Sequence, residues 1–432
     1  MVLLGTSVIA ASALAVATPA GAARTSGPGQ ARLRLPGLRI APNLSALPAA
    51  GRRALAVTKS ADLFGIFCNS PSDCWAVGEI KGKNATVNQV LHWTGKKWFT
   101  VTVPNQAGLR NGALNELFAV RCTAKANCWA VGDSQRSGHA ILDQLLHFNG
   151  KKWFVVSAPA PGGTAAGDLN GLDDVACTSA ASCWAAGSYG MQGMSVNPEV
   201  LFNQTLHWDG RKWTFVKPPN PAGGSTGDLN VLDSVRCTAP QDCWAAGSAG
   251  TTVNNNIKLR NAMLHWNGKK WAKVAVPSPA VKGKVFIDEL NTLACTATDN
   301  CWAVGTAAKL LVSNGFEHNE ALHWTGRKWA LVKTPNPGGK LDQLFGVTCT
   351  AAGDCWAVGN AGAKNEALHW NGKAWSVIHA PDGATGMNVT NDLSAVRCTS
   401  VSNCWAVGAT HLGNDHDLNQ LLHWNGTKWG KS

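Results

Sequence analysis

The segment Cys68-Asn69-Ser70-Pro71-Ser72-Asp73-Cys74-Trp75-Ala76-Val77-Gly78 decides the fold, because it recurs. The pattern C-x5-C-W-A-[VA]-G occurs seven times, with cysteine pairs Cys68/Cys74, Cys122/Cys128, Cys177/Cys183, Cys237/Cys243, Cys295/Cys301, Cys349/Cys355 and Cys398/Cys404. These pairs use all 14 cysteines. A second signature, L-H-[WF]-x-G-x-x-W, follows each match, beginning at Leu91, Leu146, Leu206, Leu264, Leu322, Leu368 and Leu422. Together the two signatures hold all 20 tryptophans. Successive second cysteines lie 54, 55, 60, 58, 54 and 49 residues apart, so the variation is confined between the signatures. Such a period means repeats, and its size suits a four-stranded β-blade.

In the second unit, residues 117–122 and 128–132 read as the first two strands, and 145–148 and 153–156 as the last two. The last two meet at Asn149-Gly150, a dipeptide that tolerates the positive φ angles of a type I′ hairpin turn. Pro-rich stretches such as Pro159-Ala160-Pro161 end the unit, and nothing has helical periodicity over ten residues. A lone four-stranded sheet cannot bury both faces, whereas blades set radially bury each aromatic face against the next. The expected fold is all-β: a seven-bladed β-propeller of four-stranded antiparallel blades, with one disulfide per blade. A linear β-solenoid is the rival, but its coils are shorter and seldom contain a tight hairpin.

The last unit stops at Trp429-Gly430-Lys431-Ser432 and reads as short of a fourth strand, which Ala54-Leu55-Ala56-Val57-Thr58 has the character to supply. The expected layout is therefore a signal peptide or membrane anchor at 1–23, a basic Pro/Gly-rich linker at 24–50, and the propeller at 51–432, with 53–58 completing the last blade.

Residues 1–23 are uncharged, run through Val8-Ile9-Ala10-Ala11, and end in the small residues Ala20-Gly21-Ala22-Ala23. That reads as a secretory signal with an A-x-A-like cleavage site. The missing basic n-region leaves a retained anchor as the alternative. Export suits the cysteines, since disulfides persist outside the cytosol. Cysteines facing each other on hairpin strands are expected about 4.5 to 5.5 Å apart at Cα, within bridging range. Zinc pairs use shorter spacing, and radial blades would hold such pairs apart, so neither a metal nor another cofactor is expected. Each short loop should contribute about 2 kcal/mol, which stiffens blades rather than creating the fold.

Hydrophobic residues make up 45% and charged ones 15%, with 46 Gly and 19 Pro, a globular and turn-rich composition. The formal net charge is +12. Much of it falls in the x-G-x-x-W turns, at Lys96, Lys97, Lys151, Lys152, Arg211, Lys212, Lys269, Lys270, Arg327, Lys328, Lys373 and Lys428. These would crown one face as a basic rim for anionic cell-wall polymers, or be solvated turns that protect a sheet edge. Export makes nucleic acid an unlikely physiological partner, and signal cleavage would leave no stable membrane insertion.

The linkers between blades and the loops joining second to third strands vary most, and they should share a face, the natural ligand face. Asn115, Asn170, Asn230, Asp288, Asp342 and Asn391 recur seven residues before the first cysteine. They would either ring the channel mouth or cap turns through side-chain hydrogen bonds. The repeated histidines, such as His92 and His147, alternate with Trp and read as packed structural groups. Unrepeated residues are better site candidates. His318 with Glu317, and His411 with Asp415, His416 and Asp417, are read in variable loops. The long insertion after Ser188 carries Tyr189, Met191, Met194 and Phe202 as a binding ridge or as side chains folded back onto the blade.

C-W-A-V-G followed by H-W-x-G-x-x-W resembles the kelch and galactose-oxidase type of propeller, and the G-x-x-W spacing is similar to the Asp-box hairpin of sialidase-like propellers. The pattern looks closest to secreted bacterial proteins built of tandem C-W-A-V-G and H-W-N-G-x-x-W units, over residues 60–429. The kelch Gly-Gly pair and strand Tyr are missing, and so is Ser-x-Asp of the Asp box. The resemblance therefore implies architecture and carries over no catalytic residue. The expected function is an exported, non-catalytic binding scaffold for an extracellular or cell-envelope carbohydrate or protein, through the long-loop face. One alternative is a glycan-active hydrolase or lyase using Asp133, Glu199, Glu317, His318, His411 or His416. Another is a polyanion-binding structural envelope protein.

Overall fold

The computed structural model describes residues 60–190, 200–253, 256–279, 285–309, 315–413 and 416–432. The expected signal or anchor, the linker and the segment 53–58 lie outside the described residues, as do Met191, Met194, Glu199 and Asp415. The described residues form 28 strands and no helix. Strands pair in chain order into antiparallel four-stranded blades, at 60–100, 114–156, 169–215, 228–273, 286–331, 342–377 and 390–431. In the first blade the inner strand is Ser60–Ser70, followed by Asp73–Lys81, Thr86–Trp93 and the outer strand Trp98–Thr100. Four neighbouring pairs of blades are also joined by short parallel bridges, at Ala85/Ala113, Ile141/Leu169, Lys258/Phe286 and Glu317/Leu341.

The strands outrun their hydrophobic stretches. In the second blade they are Leu114–Ala124, Asn127–Gln135, Ile141–Phe148 and Trp153–Val156, so only the last coincides with the sequence reading. Pairing continues because polar residues in the extensions, such as Asn115 and Gln144, are fully buried and hydrogen-bonded. The final blade is not short of a strand. Its outer strand Trp429–Lys431 pairs with Leu422–Trp424 and has three residues, the same length as that of the first blade.

The turn at Asn149-Gly150 also differs from expectation. Phe148 pairs with Trp153, so the loop has four residues, 149–152. Gly150 has φ 87°, whereas Asn388 is the sole non-glycine with positive φ among the described residues, which excludes a type I′ turn. The Asn149 carboxamide oxygen instead accepts the N–H groups of Lys151 and Lys152, both at 3.1 Å.

The core lies between blades. The tryptophan after each second cysteine meets the closing tryptophan of the next blade edge-on: Trp75 with Trp153 at 5.4 Å and 81°, for example, and Trp129 with Trp213 at 5.1 Å and 87°. The last such pair, Trp405 with Trp98 at 5.2 Å and 89°, brings the final blade against the first. There Leu63, Ile66 and Leu91 pack with Trp405 and Val407. Inner strands lie side by side, and the first touches the last.

All 14 cysteines form seven disulfides, each within one blade: Cys68–Cys74, Cys122–Cys128, Cys177–Cys183, Cys237–Cys243, Cys295–Cys301, Cys349–Cys355 and Cys398–Cys404. The pairing is as expected, but the spacing is not. The Cα separations are 3.9–4.0 Å, closer than the 4.5 to 5.5 Å expected of paired strands. The register slips by one residue just beyond each bridge, where the tight turn draws the strands together.

The two ends of each bridge also differ in their surroundings. The second cysteines, Cys74, Cys128, Cys183, Cys243, Cys301, Cys355 and Cys404, are fully buried at 0% exposure. Each packs in the core cluster that holds the tryptophan of the preceding blade, as Cys128 does with Trp75 and Cys183 with Trp129. Cys243, Cys301, Cys355, Cys404 and Cys74 lie likewise with Trp184, Trp244, Trp302, Trp356 and Trp405. These seven residues are therefore part of the core between blades and not of any surface that meets a ligand. No helix long and apolar enough to cross a membrane occurs among the described residues.

Candidate functional site

Each inner strand carries a β-bulge four residues before its first cysteine. In the first blade the pairing steps from Leu63/Gly78 to Gly65/Val77 and passes over Phe64. The same step passes over Phe118, Asp173, Asp233, Asn291, Phe345 and Ser394. A bulge bends its strand and re-aims side chains. Here it presses a carbonyl against the glycine that ends C-W-A-[VA]-G: a Cβ on Gly78 would lie 1.9 Å from the Asp62 oxygen, and one on Gly305 1.8 Å from that of Glu289. Only glycine permits that approach.

All seven bulge residues line one chamber of about 150 Å³ among the inner strands. Its walls differ. Phe345, Phe64 and Phe118 come from the sixth, first and second blades, with Ser394 between, and the Phe64 and Phe118 rings are 5.7 Å apart. Asp173, Asp233 and Asn291 come from the third, fourth and fifth. One wall thus offers aromatic faces and the other polar acceptors, the pairing of groups that orients a small polar ligand or a sugar. Sequence reasoning passed over this ring. Its signal was the first of two variable positions between an invariant Leu, as at Leu63 and Leu117, and an aliphatic residue, as at Ile66 and Val120.

The recurrent Asn and Asp residues do not ring an open mouth, because they are almost fully buried. Asn115 accepts the Ala107 N–H at 2.8 Å and donates to the Thr86 and Gly108 carbonyls, both at 3.1 Å. Asn170, Asn230 and Asn391 repeat that pattern, tying each incoming linker to the preceding blade. Asp342 accepts from the Gly338 N–H and Asp288 from the Ser278 hydroxyl. Each of the six thus bonds to the linker that leads into its own strand.

Tyr189 folds back onto its own blade, its ring stacked on Phe202 at 5.2 Å and edge-on to Phe215. His318 and His411 lie in strands, Phe316–Trp324 and Asn403–His411, because the pairing extends into what the sequence presented as loops. His318 stacks on Phe316 and reaches the Gly339 carbonyl at 3.2 Å. Its neighbour Glu317 is buried, accepts from Gln343 Nε2 at 2.8 Å, and is pushed up to about 7 by burial. Asp133 sits across from Asp143 in a strand pair. His416, His139 and His379 are exposed. All twelve basic turn residues are exposed too.

Of the candidate cluster in the last blade, the structure brings together His411 and Asp417, Nδ1 to Oδ1 at 2.7 Å. Asp392 lies 3.8 Å from the other ring nitrogen, and Lys81 of the first blade reaches Asp417 at 2.8 Å. Burial opposes the charge on His411, but Asp392 and Asp417 outweigh it and raise the imidazole to about 10. Asp417 is held well below the usual carboxylate range by His411 and Lys81, against its own burial. A permanently charged histidine is no general base at neutral pH. This network is a seam between the last and first blades.

Similar latches join other blades and were not anticipated. Asn88 donates to Gln144 at 2.8 Å, Asn319 to Glu366 at 2.7 Å and Asn365 to Gln420 at 2.7 Å. Burial raises Glu366 to about 9. The signal lay in the dipeptide ahead of each L-H signature: Asn-Gln, Asp-Gln, Asn-Ala or Asn-Glu. The repeated histidines behave as expected: His92 stacks on Trp75 at 4.0 Å and pairs with Asp73 at 2.7 Å. Among the described residues no group of three or more His, Cys, Asp or Glu side chains could hold a metal ion.

No protein-family model and no curated protein matches the chain. Solved structures do match. A polysaccharide lyase of family PL25, an ulvan lyase bound to -[GlcA(1-4)Rha3S]-, has a TM-score of 0.55 at 9% identity, over 88% of this chain and 97% of that one. The chain is a β-propeller. YCF48 from Cyanidioschyzon merolae shares 13% identity over 85% of this propeller and 97% of its own chain, with a TM-score of 0.47. An α-L-arabinofuranosidase from Fusarium graminearum shares 11% over 84% and 92%, with a TM-score of 0.44. At such identities the likeness to the lyase shows the fold of the propeller and nothing finer.

Proposed function

We propose that the chain is an exported, non-catalytic binding module: a closed seven-bladed propeller that holds an extracellular or cell-envelope carbohydrate or protein through its long-loop face and the chamber beneath it. The observation that carries this reading is the bulge ring, with Phe64, Phe118 and Phe345 facing Asp173, Asp233 and Asn291. Stacking faces opposite acceptors suit a sugar or a peptide. Seven disulfides fit an oxidising compartment.

The test is retention on a glycan array and on cell-wall fractions at low and high salt. The expected result is salt-resistant retention that Phe118→Ala and Phe345→Ala each weaken tenfold or more. Retention abolished by salt, or indifferent to both substitutions, would overturn the reading.

A glycan-active hydrolase or lyase is the second reading, favoured by Asp173 and Asp233 at equivalent positions of adjacent blades. Release of products from a polysaccharide panel, lost in Asp233→Asn, would establish it in place of the first.

A further inference from the structure

Three guanidiniums meet where the channel ends on the disulfide side. Arg121, Arg236 and Arg397 each stand immediately before the first cysteine of their blade, and Phe67 holds the same position in the first blade. With Thr348 they line a cavity of about 70 Å³. The guanidinium carbons of Arg121 and Arg397 lie 4.6 and 4.7 Å from the Phe67 ring centroid. Arg236 pairs with Asp174, Nη1 to Oδ2 at 2.5 Å. Among the described residues neither Arg121 nor Arg397 has a carboxylate partner, and the buried Nε of Arg397 makes no hydrogen bond.

Three guanidiniums and one carboxylate leave a formal charge of +2 (3 − 1) in a half-buried mouth. Buried charges are ordinarily paired, because the low-dielectric surroundings make an unmatched one costly. The strain is visible in their acidity. Burial, then repulsion from Arg397 and Arg236, pulls Arg121 well below the usual guanidinium range, and burial with repulsion from Arg236 brings Arg397 to about 10. Asp173 and Asp233 line the adjoining chamber rather than this mouth.

We propose that this mouth is an oxyanion site in which Arg121, Arg236 and Arg397 take one sulfate, phosphate or carboxylate group, free or carried on an acidic polymer. The planar guanidinium fork matches such groups with paired, charge-assisted hydrogen bonds. At roughly 10 to 15 Å³ per water the cavity has room for several, hence for a tetrahedral anion. Strand directions alternate within a blade, so the disulfide turns and the Lys-rich turns leave the same end. The twelve exposed turn cations therefore surround this mouth and raise the local concentration of anions. The site does not depend on the ligand proposed for the chamber.

The test compares thermal shift and calorimetric titration with sodium sulfate, sodium phosphate and sodium chloride at matched ionic strength. Sulfate or phosphate should raise the melting temperature saturably beyond chloride. Arg121→Gln and Arg397→Gln should each weaken binding about tenfold or more, and Arg397→Lys less than Arg397→Gln. Removing mutual repulsion should leave these variants folded, and near-ultraviolet circular dichroism checks that. Dextran sulfate that competes with sulfate and weakens in the same variants identifies the polymer-borne source; sulfate binding without such competition identifies the free ion. A wild-type shift no larger than with chloride, or one undiminished in both Gln variants, overturns the site.

Discussion

Glu366 shows how far a single residue can be read from sequence. It stands where Gln144 and Gln420 stand in other blades, accepts from Asn319, and is buried with its carboxyl raised to about 9. A folded pKa above the unfolded value means that the native state binds more protons between about 4.5 and 9, so the stability due to Glu366 falls as pH rises through that window. Glu366→Gln keeps the latch and removes the titration. Its melting temperature should match wild type near pH 4.5 and exceed it increasingly up to pH 8, as thermal denaturation across pH will check. The dipeptide Asn365-Glu366 ahead of Leu368-His369 is plain in the sequence, yet its partners are set by how one blade lies on the next, which no local pattern reports.

At the scale of the strand, the two repeated signatures and the turns located the blades, and the missing detail was the bulge. An extra residue in one strand leaves no local hydrophobic signature, because it changes the pairing and not the composition. What the sequence did carry was the partner of the bulge, the invariant glycine after C-W-A-[VA]. Gly305→Ala places a methyl group against a backbone carbonyl that cannot move without breaking the ladder, and should cost about 3 kcal/mol. Gly430→Ala, in an outer strand with nothing within 4 Å of the added carbon, should change stability by less than about 0.5 kcal/mol. Guanidinium denaturation of the two variants makes the comparison. The strand extensions at Asn115 and Gln144 were illegible for a related reason: polar residues read as loop unless their buried partners are known.

For the whole molecule, the repeat predicted contacts between blades, and the meeting of the last with the first was expected to need a borrowed strand. Trp405, Trp98, His411, Asp417 and Lys81 make side-chain contacts across that junction, and the segment 53–58 lies outside the described residues. Trp405→Ala empties the centre of the seam and should cost about 3 to 5 kcal/mol. Because each blade leans on two neighbours, melts followed by tryptophan fluorescence and by far-ultraviolet circular dichroism should coincide at a lower temperature. A separate early transition would mean that the seam opens alone.

The edge-on indoles have a consequence beyond packing. Seven tryptophan pairs, each 5.1–5.4 Å apart and close to perpendicular, repeat one contact from blade to blade. Indoles this close couple their transition dipoles, and repetition of one geometry lets the pairs add to one exciton couplet instead of cancelling. Its amplitude is an optical count of the docked neighbours, available without any added label.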